Sequence, residues 1–281
     1  MIHTSRQLKA LVRNMSKGDS VKAQIIIRNY VMERFLERLS LSKYSNNLIL
    51  KGGTLVTAMV GLDNRSTMDI DTTLKNLPLS EESAQKIVEE ITSVQIDDGI
   101  SFTIKSTSPI MDEADYPGIR VMLETTLETM RTPLKIDFST GDVITPREIV
   151  YSFKLLFEDR AISVLAYNLE TILAEKIETL ISRGTANSRM RDFYDLYALE
   201  TTQPHNINND VLKAALANTS KKRGSLSLLN NTDLILSEIA ESSDMQLLWK
   251  SYQSKFAYAA SIEWDEIMRT VNRLCKRCVP V

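Results

Sequence analysis

Apolar residues recur along this chain with two different periods, and the switch between them divides it. From Asp19 to Leu41, Ile25, Ile26, Tyr30, Phe35, Leu36 and Leu39 return at roughly helical spacing. That predicts one long helix with Asp19 or Ser20 at its start. Leu48 to Lys51 is a short apolar run stopped by Gly52-Gly53, and Thr54 to Val60 reads as a helix of small residues. Ser66 to Leu74 alternates, as a strand does, and Ser80 to Ser93 returns to the helical period with Ser80 as cap. Between residues 100 and 165 the pattern is β-like. Ile100-Ser-Phe-Thr-Ile-Lys, Ile119-Arg-Val-Met-Leu-Glu and Leu134-Lys-Ile-Asp-Phe-Ser are rich in branched and aromatic residues, with Gly118, Pro133 and Gly141 as punctuation. Glu170 onward is helical almost to the end. This order predicts an α/β (α+β) domain with a mixed sheet over residues 1–166 and a helical domain over residues 167–281.

Composition changes this picture little. Of the 281 residues, 43% are hydrophobic and 25% charged, so a packed interior is expected and disorder is not. The net charge of −2 excludes a wholly basic nucleic-acid coat but not a local basic patch. Two such clusters are present. Arg269, Arg273, Lys276 and Arg277 fall near one face of a helix, and Lys221-Lys222-Arg223 forms the other. Each reads equally as a grip on an RNA backbone or as a solvated surface. Cys275 and Cys278, the two cysteines, give no disulfide framework. They also lack the second pair or nearby histidine that a four-ligand zinc site needs, so they read as helix packing. The first residues lack the apolar core of a secretory signal, and no apolar run is long enough to cross a bilayer. A cytoplasmic protein without a membrane partner is expected.

The candidate chemistry lies in acids. In a strand, Asp69 and Asp71 share one face while Met68 and Ile70 share the other. Neighbouring carboxylates repel, and a divalent cation removes that cost; magnesium prefers carboxylate and phosphate oxygens. On the run Leu134 to Phe138, the apolar Leu134, Ile136 and Phe138 share a face and Asp137 projects opposite. A third acid there would complete a two-metal site if its strand lay beside the first. The plainer alternative is acids on solvated strands. Gly52-Gly53 stands where a strand becomes a helix, so backbone amides there can approach an anion, with the Thr54 hydroxyl as a further donor. Arg65, just ahead of the acid strand, is placed either to brace a phosphate or to sit at the surface. Lys176 falls inside the apolar stripe of Ile172, Leu173, Ile177, Leu180 and Ile181. It must therefore reach an anion or snorkel to the rim. Arg191 and Asp195, one helical turn apart, are placed either to pair weakly or to serve the site, and Arg189 and Asp192 are equally open.

These segments resemble a known family. Lys51-Gly-Gly-Thr-Leu, Arg65-Ser-Thr-Met-Asp-Ile-Asp, Lys135-Ile-Asp, Leu173-Ala-Glu-Lys-Ile-Glu-Thr-Leu and Arg189-Met-Arg-Asp-Phe-Tyr-Asp-Leu are similar to motifs of the AbiEii/AbiGii toxins. Those belong to the DNA polymerase β-like nucleotidyltransferase superfamily. The resemblance runs from about Lys51 to Leu199. It implies Asp69, Asp71 and Asp137 as magnesium ligands and catalytic acids, with Lys176 as a catalytic contact to the triphosphate. Gly52, Gly53, Thr54, Arg65, Ser66, Asp192 and Asp195 complete the implied nucleotide site. The superfamily's usual pair is Gly-Ser, where this chain has Gly-Gly followed by Thr54.

The implied activity is transfer of a nucleoside monophosphate from an NTP to an acceptor, with release of pyrophosphate; the 3′ end of tRNA is the favoured acceptor, with a small molecule or a protein as the alternatives. The implied setting is a toxin–antitoxin pair of the abortive-infection type, with an antitoxin that need not bind its toxin. Two other classes compete. Asp69-Ile-Asp-Thr-Thr-Leu superficially fits a haloacid-dehalogenase-like phosphatase. However, Asn64-Arg-Ser-Thr ahead of it is no apolar strand, and no later Gly-Asp-x-x-x-Asp follows. A non-catalytic nucleic-acid-binding regulator would have no need of the retained acids.

Overall fold

The computed structural model describes residues 1–110 and 118–279. The chain forms two compact units. One contains Met1–Ala58, Ser66–Asp142 and Ile149–Ala166; the other contains Met59–Arg65, Val143–Glu148 and Tyr167–Val281.

The first unit is built on a seven-stranded sheet. Its strands are β1 (Leu48–Lys51), β2 (Asp69–Leu74), β3 (Ile100–Ile110), β4 (Gly118–Leu127), β5 (Met130–Thr140), β6 (Ile149–Lys154) and β7 (Ala161–Ala166). They lie in the order β3-β4-β5-β2-β1-β7-β6. β2 runs parallel to β5, and β1 parallel to β7; the other neighbours are antiparallel. A mixed α/β architecture is thus what the chain adopts. Alternation decides which side packs. Ile70, Leu134, Ile136, Phe138, Val121 and Leu123 are buried, while Asp69, Asp71, Lys135, Asp137 and Arg120 stand between them on the opposite face.

Helices α1 (Ser5–Ser16), α2 (Ser20–Leu41) and α4 (Glu81–Thr92) belong to this unit, and α2 packs against β5 and β7. The Asp19 side chain caps α2 by accepting from the amides of Val21 and Lys22, and Ser80 caps α4. α2 departs from a simple amphipathic helix. Its polar positions Glu33, Arg34, Glu37 and Arg38 are buried along with its apolar stripe. Buried charge requires partners. Arg38 grips both oxygens of Asp98 at 2.7 and 2.8 Å. Arg34 meets Glu37 at 2.9 Å and Glu158 at 3.1 Å, and Glu33 accepts the Leu156 amide. Burial pushes the Glu33 carboxyl up to about 8 despite that bond.

The second unit is helical: α5 (Leu169–Arg183), α6 (Met190–Thr202), α7 (Asn209–Lys222), α8 (Thr232–Glu241), α9 (Ser243–Lys255) and α10 (Trp264–Cys278). α3 (Gly52–Val60) begins in the first unit and ends in the second. The two cysteines are buried on α10, as helix packing requires. The basic clusters are partly consumed within the unit. Arg273 forms a fork with Glu200 at 2.7 Å, Arg277 donates to Asn209, and Arg223 meets Glu178 at 2.5 Å. No helix among the described residues is long and apolar enough to cross a membrane.

Candidate active site

The register of β2 against β5 decides the geometry of the acids. Asp71 is the direct partner of Asp137, and Asp69 the partner of Lys135. β2 is therefore an interior strand, not a solvated edge. Continuing outward, Asp137 is the partner of Arg120 on β4, and Asp71 the partner of Lys51 on β1. One row across four adjacent strands thus reads Arg120, Asp137, Asp71, Lys51. Neighbouring strands are ~4.8 Å apart, so the row is about 14 Å long and its two acids sit side by side.

Each acid has its own partner. Arg120 holds Asp137 through two bonds of 2.8 Å, Nε to one oxygen and Nη2 to the other. Lys135 reaches Asp69 at 2.6 Å. Asp71 accepts from the Gly53 amide at 3.1 Å. Burial raises the Asp71 carboxyl above its ordinary range. The Gly53 amide and Lys51 oppose that rise, and Asp137 and Asp69 add to it. The Lys51 ammonium turns to Asp142 at 2.5 Å, and Ser139 donates to the same Asp142 oxygen at 2.8 Å. For Asp142, burial pushes upward, but Lys51 and Ser139 win and hold it below the usual carboxylate range.

The glycine pair serves this arrangement. Gly52 has a left-handed φ of 60°, and a Cβ there would lie 2.2 Å from Asp71 Oδ2. Only glycine lets the backbone pass so close to the carboxylate. Thr54 is buried and its hydroxyl donates at 2.5 Å to the Asp69 carbonyl. It braces the acid strand from behind. Ser66 is buried just ahead of β2. Gly52→Ala should therefore displace Asp71 and destabilise the protein by about 1–3 kcal/mol. In an Asp71→Gly background the clash with the carboxylate is gone and the loss should shrink to the backbone strain of alanine at a left-handed φ, about 1 kcal/mol, read by a double-mutant cycle of urea melts. An equal loss in both backgrounds would show that the glycine answers to something other than Asp71.

The donor set suits a hard divalent cation such as magnesium. It is all carboxylate and adjacent in register, with Asp137 and Asp69 both pushing the Asp71 carboxyl upward. In their present rotamers, no three His, Cys, Asp or Glu side chains among the described residues form a metal-holding group. Each of the three carboxylates is engaged by its own donor.

The remaining expected residues gather in the second unit. Lys176 on α5 meets Asp192 at 2.6 Å and Asp195 at 2.8 Å on α6. Arg65 is buried and binds Asp195 at 3.0 Å through Nε. The surface placement open to Arg65 in the sequence is thereby excluded, and the anion that Lys176 reaches is a pair of aspartates. The pairing open to Arg191 and Asp195 does not form: Asp195 is fully engaged by Arg65 and Lys176, and Arg191 instead lies over the Phe256 ring at 5.4 Å. Burial alone would raise the Asp195 carboxyl, but the two cations outweigh it and hold it low. Burial likewise opposes charge on Lys176, and the aspartates reverse that.

Residues 34–270 match the model of the AbiEii nucleotidyl transferase toxins, type IV toxin–antitoxin systems. This chain belongs to the AbiEii nucleotidyltransferase toxin family. Membership implies an antitoxin partner. Among solved structures, a candidate nucleotidyltransferase from Helicobacter pylori is similar at 17% identity and a TM-score of 0.51, covering 90% of this chain and 93% of that one. JHP933 from the same organism is similar at 18% identity and a TM-score of 0.50, covering 90% of each chain. At such identity the likeness speaks for the fold alone. No curated protein sequence matches.

Arg120, Lys135, Lys51 and Asp142 were not among the expected site residues of this AbiEii-family chain. Lys51 and Lys135 open two of the resembling motifs without a role assigned to them, and nothing in their own segments marks Arg120 or Asp142. Arg120 and Lys135 gain meaning only from the register, which a one-residue slip would reverse.

Proposed function

We propose that this AbiEii-family toxin transfers a nucleoside monophosphate from an NTP to an acceptor hydroxyl, that of a tRNA 3′ end. The observation that carries the reading is the direct register of Asp71 with Asp137, with Asp69 two residues along the same face. Magnesium bound by these carboxylates would polarise the phosphate and offset its charge. The protein's own share is placement. Gly52 clears room for the Asp71 carboxylate, the Gly53 amide orients it, and Thr54 fixes the strand that carries Asp69. Asp137 accepts the hydroxyl proton while the new O–P bond forms at the α-phosphorus. The bond to the β-phosphate oxygen breaks, and its electron pair leaves on pyrophosphate. Such a site works by positioning and electrostatics. Nucleotide contacts at Arg65, Ser66, Lys176, Asp192 and Asp195 rest on the motif resemblance alone, since Arg65, Lys176 and the two aspartates are already engaged with one another in the buried cluster.

The test offers each of the four labelled NTPs with magnesium and total bacterial RNA. Label should enter a tRNA-sized band and be absent with Asp69→Ala. Label in no RNA, protein or small molecule, from folded protein, would refute the transferase reading; label in another acceptor would refute tRNA alone. Phosphate release from a simple phosphomonoester, dependent on Asp69, would instead favour the phosphatase alternative.

A further inference from the structure

Arg120 is poised unlike any other cation on the acid face. It stands at the end of the four-strand row, directly opposite Asp137, and spends two donors on that carboxylate. Its side chain is one-third exposed, while the Asp137 it covers is 17% exposed. A guanidinium fork fits a carboxylate and a phosphate equally well. A divalent cation and Arg120 compete for the same two oxygens. The cation can have both lone-pair faces of Asp137 only if Arg120 lets go.

Resting on the transferase reading, we infer that Arg120 changes partner when the nucleotide binds. In the nucleotide-free protein it closes the third carboxylate. When Asp137 turns to a divalent cation, the released fork binds a non-bridging oxygen of the incoming triphosphate. Charge balance favours the exchange. The row carries two positive and two negative side chains at rest, and a cation that arrives with a triphosphate brings net negative charge that a freed guanidinium neutralises. Lys135 is the comparison: it holds Asp69 with a single ammonium and lacks the planar fork.

The test measures manganese binding by loss of the free-ion EPR signal, without nucleotide and then with a non-hydrolysable NTP analogue. It uses wild type, Arg120→Gln and Asp71→Asn. Arg120→Gln should bind manganese alone roughly three- to tenfold more tightly, since a one-third-exposed competitor is gone. It should bind the analogue roughly tenfold more weakly, since a charge-assisted contact is lost. A residue that merely supports the fold would shift both in one direction or neither. Arg120→Lys, which keeps charge without the fork, should fall between, and it carries the test if the glutamine variant proves unstable. Unchanged or weaker manganese binding in both variants, with binding still lost in Asp71→Asn, would overturn the exchange and leave the transferase reading standing. No manganese bound by wild type, with or without analogue, would sink the transferase reading itself.

Discussion

Asp71→Asn should lower nucleotidyl transfer by at least about a thousandfold while leaving the protein folded and more heat-resistant than wild type. The loss exceeds the ~10²–10³ typical of removing one transition-state hydrogen-bond donor, because a central carboxylate of the site is deleted. The gain in stability follows from the raised Asp71 carboxyl. A folded-state value above the unfolded one favours folding at pH below the ordinary Asp range. That contribution is lost as pH rises through the raised value. At neutral pH the ionised side chain is therefore a burden on the metal-free fold. Asparagine keeps an acceptor for the Gly53 amide without the charge, and a rise of a few degrees in Tm is expected. Magnesium should stabilise wild type and leave the variant unmoved, since only a ligand that binds the native site shifts the equilibrium. Scanning calorimetry with and without magnesium, beside the transfer assay, checks all three. A variant that melts below wild type would contradict the electrostatic account even if activity fell.

The largest stability effect is expected at Asp195→Ala. That carboxylate is wholly buried and is the shared partner of Arg65 and Lys176. Removing it takes from the buried Arg65 guanidinium the carboxylate that pairs with it, whereas Lys176 keeps Asp192. Breaking one side of a buried pair costs about 3–5 kcal/mol, or a fall in Tm of roughly ten degrees for a chain of this size. Because the native carboxyl is held low, its contribution is complete above the ordinary Asp range and disappears as pH falls through its depressed value. Wild type should therefore lose an acid-sensitive part of its stability that Asp195→Asn lacks. Asp192→Ala should cost less, since Lys176 retains Asp195 and the released Arg189 is exposed. Urea melts of the three variants give the ranking. Equal costs for Asp192 and Asp195 would show that Arg65 does not depend on Asp195.

Much of the fold was legible because its two periods differ. α2, α4 and the acid strand lie close to where the pattern puts them, for caps and stripes are local chemistry. The helix over Ser5–Ser16 went unread. Its signals were present in Thr4 with Gln7 as a capping box and in Leu8 and Val12 one turn apart. What no local pattern carried was the order of strands. The pairing of Asp71 with Asp137 joins residues 66 positions apart, and the chain gives no sign of it short of the fold. The burial of Glu33, Arg34, Glu37 and Arg38 was hidden for a related reason. Their partners Asp98, Glu158 and Arg160 come from distant parts of the chain, and nothing within the helix announces them. Thr54 shows the limit of motif reading: its place was foreseen as a phosphate donor, and its hydroxyl is spent on a strand carbonyl.

The route of the backbone has a practical outcome. Residues 59–65 and 143–148 are threaded into the helical unit from the midst of the sheet-bearing sequence. Cutting the gene after residue 166 would leave Arg65 on one polypeptide and its carboxylate on the other. A helical fragment expressed alone should be poorly folded, and a split toxin should work only if its halves reassemble.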